Sequence, residues 1–130
     1  MFKNFKMTFN YDYIVNDRAV ICFASPNRID KNLEFWVGVY IRETGHKPKN
    51  TIAPEYKGVA RFKEGDVYDP DAAEEIARCK AVRAAFNAYK ALYFEIFEFV
   101  STKAADLYGT ADSIEKKTDK ITNEIIEMTQ

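Results

Sequence analysis

The sequence predicts an α+β fold in a single domain over residues 1–130: a four-stranded antiparallel sheet packed on a long helix, followed by a second, C-terminal helix. Three observations carry this reading. Within residues 5–63, several runs alternate between apolar and polar side chains, the period of a half-buried strand. From about 69 to 108 apolar residues recur instead at three- and four-residue steps, which places them on one side of a helix. Short polar clusters separate the runs.

Phe5, Met7, Phe9, Tyr11, Tyr13 and Val15 alternate with Lys6, Thr8, Asn10 and Asp12, so residues 5–15 form the first strand. Asn16-Asp17-Arg18 supplies turn chemistry, and the apolar run Ala19 to Ser25 returns as an inner strand of a hairpin. A polar loop from Ser25 to Asn32 carries Arg28 and Lys31. Leu33 to Arg42 alternates again, giving a third strand with Leu33, Phe35, Val37, Val39 and Ile41 on one face and Trp36, Tyr40 and Arg42 on the other. The stretch from Glu43 to Glu55 is the longest irregular segment and holds His46, Lys47 and Lys49; loops of this length more often carry function than merely connect. Tyr56 to Lys63 is the fourth strand.

Asp69 is a natural N-cap and Pro70 suits the first helical position, where its missing N–H costs nothing. Ile76, Cys79, Val82, Phe86, Tyr89, Tyr93, Ile96 and Val100 form an apolar stripe. Beside it Ala73, Ala77, Ala81, Ala84, Ala88 and Leu92 form a small-residue stripe that lets another backbone come close. Gly109 reads as the stop, and Asp112 with Glu115 as a capping box opening a second helix over about 112–128, whose Ile114, Ile121, Ile125 and Met128 would lie antiparallel on the first. A helix from 69 to 109 would span about 60 Å, against a radius of gyration of about 14 Å for a chain of this size. With its later half apolar almost all round, it is expected to be covered by a second copy.

Composition narrows the function classes. A net charge of −1 argues against a bulk electrostatic nucleic-acid binder and equally against an acidic mimic of one. Cys22 and Cys79 lie in apolar surroundings without metal-like spacing, so both are expected to be buried, reduced thiols of a cytoplasmic protein. No apolar run is long enough to span a bilayer.

Two constellations could carry chemistry. Lys80, Arg83, Asn87 and Lys90 share one face of the long helix, where cations and an amide suit an anion such as a nucleotide phosphate; the same spacing also describes a plain solvated face. Trp36, Tyr40 and Arg42 with Lys57 and Arg61 would interleave rings and cations on one sheet face, which suits base stacking but equally a core or subunit contact. His46 reads as solvated, and Asp66, Asp69 and Asp71 as helix-start acids rather than a metal site. Catalysis, metals and cofactors are therefore not expected. The binding set is Trp36 and Phe62 for stacking, Arg61 and Arg83 for phosphate, Asn87 for a polar edge, and Arg28 from the loop.

Gly58-Val59-Ala60-Arg61, Asp66, Asp69, Ile76-Ala77 and Lys80-Ala81 resemble the last strand, acidic turn and helix of small bacterial and phage proteins with a double-stranded-RNA-binding-like fold. The match covers about a quarter of the chain and serves packing. In architecture and size the chain also looks like phage Thoeris anti-defence proteins, which sequester cyclic ADP-ribose signals. That resemblance implies a non-catalytic sponge in the host cytoplasm, with its nucleotide ligand held between sheet and helices of a homodimer or higher oligomer. The alternatives are a protein-binding inhibitor of a host nuclease complex, of the anti-CRISPR type, and a nucleic-acid-binding module.

Overall fold

A computed structural model describes residues 5–63, 65 and 67–130. The elements run β1 (Phe9–Val15), β2 (Ala19–Pro26), α1 (Lys31–Thr44), β3 (Tyr56–Arg61) and α2 (Pro70–Thr129), and the chain divides into two compact units, Met1–Glu95 and Ile96–Gln130.

In the first unit the fold is α+β, with an antiparallel sheet of three strands in the order β1-β2-β3. The expected hairpin is present: Asn16 accepts the Arg18 N–H on its side chain at 3.1 Å, and the ladder runs from Val15 opposite Val20 to Phe9 opposite Pro26. The strand begins at Phe9 rather than Phe5, although Asn27 still bonds Thr8 through backbone and side chain, both at 3.0 Å. β2 is the inner strand, paired on its other side with β3 from Ala19 opposite Arg61 to Ala24 opposite Tyr56.

One face of this sheet packs on α2. Val20, Cys22, Ala24 and Ala60 meet Ala73, Ala77 and Ala81, all buried, and Phe9, Tyr13, Phe62 and Tyr68 close the margins of this core. Gly58 is what allows the approach: a Cβ there would run into the Ala77 carbonyl and the Ala81 nitrogen. The small-residue stripe is therefore the buried one, with Ala85 replacing Ala84 and Ala88 at its centre. The large-residue stripe is open at Ile76 and Phe86, 46% and 42% exposed, and buried only further along, as at Tyr89. Cys22 is buried as expected, whereas Cys79 lies in the open part of that stripe and is exposed. Asp69 does cap α2, accepting the Asp71 N–H at 3.1 Å, and Pro70 is its first residue.

Two expected elements are replaced. The strand proposed for Leu33 to Arg42 is helix α1. Asp30 caps it by accepting the Leu33 N–H, Glu34 lies in its first turn and Arg42 in its last, and Gly45 ends it in the left-handed region at φ 76°. Alternation at Leu33, Phe35 and Val37 is equally compatible with a helix that buries Leu33 and Tyr40, and the two caps decide between them. The second correction concerns the C-terminus. Gly109 does not stop the long helix, and no separate helix folds back over 112–128: α2 is one helix of 60 residues. Gly109 has no positive φ, and Asp112, expected to cap, forms a mid-helix ion pair with Lys116 at 3.2 Å.

In the second unit, Ile96–Gln130, residues 101–111 and 113–130 are all exposed. Asp66, part of the expected acidic turn, lies outside the described residues.

Candidate functional site

The first unit contains a cleft of about 610 Å³ bounded by residues 26–30, α1, the loop after it, and α2. Its walls are apolar: Leu33, Val37 and Ile41 from α1, Leu92 from α2, and Pro48 and Ile52 from the loop. Polar groups are few: Asn27, Arg28 and Asp30 from the 26–30 turn and Lys47 and Asn50 from the loop take part in the lining, together with Glu34 from the first turn of α1. An apolar enclosure with a small number of convergent polar groups is the usual form of a small-molecule site, and this volume falls in the usual range.

Four side chains hold the walls in place. The Asp30 carboxylate serves two elements at once, since one oxygen caps α1 and the other accepts the Tyr93 O–H from α2 at 2.6 Å. Burial, reinforced by that hydrogen bond to Asp30, pushes the Tyr93 phenol up to about 12, so the tie stays intact across the neutral range. Glu95 anchors the loop: its carboxylate accepts the backbone N–H groups of Lys49 and Asn50 and the Asn50 side-chain amide, each at 2.8 Å. Burial works to raise the Glu95 carboxyl, but these donors outweigh it and hold the group below the usual range. Tyr56 completes the frame, its hydroxyl accepting the Ala53 N–H at 2.8 Å.

Of the residues selected from sequence, Arg28 lines this cleft, and no carboxylate pairs with it or with Lys47 among the described residues. Trp36 is on α1 rather than on the sheet, half-buried, with its ring edge-on to Phe35 at 5.2 Å and outside the cleft lining. The ring-and-cation sheet face therefore does not form as expected, because Tyr40 and Arg42 are also on α1. Lys57 and Arg61 remain on β3, on the sheet face opposite the core. Phe62 follows β3 and packs into the margin of the core, its ring 5.0 Å from that of Tyr68.

Arg83 sits with Lys80 in a second, shallower depression of about 460 Å³ formed by α2 alone. Lys80 is engaged there: its ammonium donates to the Val59 carbonyl of β3 at 3.0 Å. Asn87 and Lys90 are exposed further along the helix and do not line that depression. Arg28 and Arg83 thus belong to separate concavities. His46 is exposed, its ring edge-on to Tyr40 at 5.6 Å.

The residues missed from sequence are those that build the cleft, Asp30, Tyr93 and Glu95. Glu95 did carry a signal, as a carboxylate inside the apolar run from Tyr89 to Val100, where an acid needs dedicated donors. Lys47 and Asn50 lie in the long irregular segment already marked by its length. Among the described residues no group of three or more His, Cys, Asp or Glu is arranged to hold a metal ion, and no helix is long and apolar enough to cross a membrane. Compared with protein-family models, with curated proteins and with solved structures, the chain matches none.

Proposed function

We propose that the protein binds a small nucleotide-like anion in the cleft and holds it without turning it over, in the manner of a sponge for a cyclic ADP-ribose-type signal. The observation that supports this reading is the cleft itself: apolar walls of about 610 Å³ next to Arg28 and Lys47, neither ion-paired among the described residues. The walls suit the faces of a base and a ribose. Arg28 offers a planar fork to phosphate and Lys47 a point charge.

The test is a thermal-shift screen of the pure protein against nucleotides, cyclic di- and trinucleotides and cyclic ADP-ribose isomers, with the bound compound recovered and checked for chemical change. A ligand at about 1,000 times its Kd stabilises the native state by about 4 kcal/mol. Arg28→Ala is expected to weaken binding by about tenfold or more while leaving the ligand-free Tm unchanged. Arg83→Ala, in the separate depression, is expected to leave affinity as it was. The reverse result would move the site to the exposed face of α2. No shift with any compound would favour a macromolecular target, and recovery of a converted ligand would overturn the non-catalytic reading.

A further inference from the structure

Over Ile96–Gln130 most of the large exposed apolar residues of α2 follow a heptad pattern, with Tyr108 and Ile126 lying beside it. Phe97, Ala104, Ala111, Thr118 and Ile125 fall at one core position, and Val100, Leu107, Ile114, Ile121 and Met128 at the other, in strictly alternating steps of three and four. A seam of this period, sustained over several heptads, specifies a helix that supercoils with another helix rather than one that rests on a sheet. In the single chain the seam is open: Phe97 is 63% exposed, Leu107 74%, Ile114 60%, Ile121 56% and Met128 76%. The Asp112–Lys116 ion pair lies off the seam.

We propose that this seam pairs with the same seam of a second copy, antiparallel, with Ala111 of one copy packed against Ile114 of the other. The sequence is self-complementary in that register. Ala104 then faces Ile121 and Thr118 faces Leu107, so each of these layers joins a small side chain to a large one and the helices keep an even spacing. Val100 meets Ile125 and Phe97 meets Met128, which uses every core position. A parallel pair would instead stack Ala on Ala and Ile on Ile, alternating gaps with crowding.

The flanking charges select the same orientation. Antiparallel pairing sets Lys103 beside Glu124 at both ends of the seam and Tyr108 beside Glu115, and brings no like charges together. Parallel pairing sets Lys103 beside Tyr108 and Lys117 beside Thr122, with no opposite-charge pair. A lipid surface does not fit the same face, because its flanks carry more carboxylates than lysines, Asp106, Asp112, Asp119 and Glu127 among them.

Two measurements on the full chain test this. Sedimentation at about 10 µM is expected to give the mass of two chains, within the affinity range of a specific interface, and Ile121→Asp to give the mass of one with the helical signal of the first unit retained. For orientation, Cys79 is replaced by Ser, and copies carrying Ala104→Cys are mixed with copies carrying Ile121→Cys and oxidised. The mixed disulfide is expected to dominate, because in the antiparallel pair the two Ala104→Cys positions stand about 26 Å apart along the axis. A single-chain or larger mass for the parent protein, a disulfide between two Ala104→Cys copies, or no cross-link at all would overturn the proposal.

Discussion

The two stretches of α2 differ in what they cover within the chain: the first buries a row of small residues, and the second leaves its row of large ones open. Over Ala73–Ala85 the inward residues are small, with Ala73, Ala77, Ala81 and Ala85 all at 0% exposure, while Ile76 and Phe86 stay open; Tyr89 and Leu92 are the larger residues buried beyond them. Over Ile96–Thr129 the large residues line up and none of Leu107, Ile114 or Ile121 is covered within the chain. Side-chain size therefore does not decide which face turns inward. What decides is the period and the surface it must meet. Steps of four, as from Ala73 to Ala85, rotate slowly about the axis and follow a twisted sheet, and methyl-sized residues let backbone meet backbone. Steps alternating three and four stay in register only with another helix.

The sharpest way to break the first half of that comparison is at Gly58. Gly58→Ala places a Cβ against the Ala77 carbonyl and the Ala81 nitrogen, neither of which can move without shifting the helix. Overpacking of this kind is expected to cost about 3 kcal/mol, read as a fall in denaturation midpoint with unchanged m. A loss under about 0.5 kcal/mol would show that sheet and helix are not in close backbone contact.

A smaller effect is expected where the cleft loop meets α2. Glu95→Ala removes the acceptor for the Lys49 and Asn50 donors and should cost about 1–2 kcal/mol, with faster hydrogen exchange at those two backbone amides. Acid should reproduce it. Folding lowers the Glu95 carboxyl, so its contribution is fully present above the ordinary value of 4.5 and is lost as pH falls through the lower folded-state value. Protection of those two amides that persists below that window would rule the anchor out.

The smallest effect has its sign as the test. Gly109 lies inside α2 with open space around it, so Gly109→Ala should raise helix stability by about 0.8–1 kcal/mol, seen as slower amide exchange over the neighbouring turns. Destabilisation would restore the helix stop that the sequence suggests.

That suggestion shows where the sequence was legible. The hairpin, the inner position of β2, the Asp69 start and the close approach along the alanines could all be read, because each follows from local chemistry or from a single period. Leu33 to Arg42 was not legible in the same way. Its Phe, Trp, Val and Ile content favours a strand, and only the Asp30 and Gly45 caps, fixed by tertiary context, tip it to α1. Gly109 misled for a related reason: glycine ends helices only when the backbone takes the left-handed region, and composition does not report φ. Of the candidate site, Arg28 and the long segment with Lys47 were visible, whereas Asp30, Tyr93 and Glu95 act through partners distant in sequence, Tyr93 on Asp30 and Glu95 on Lys49 and Asn50.

The placement of Trp36 has a practical consequence. It is the chain's one tryptophan, half-buried beside Phe35 on the helix whose Leu33, Val37 and Ile41 wall the cleft. Its indole emission therefore comes from a single, assignable position. A compound that enters the cleft and shifts α1 alters the wavelength and quenching of that emission, giving the molecule an optical readout of occupancy with no label attached.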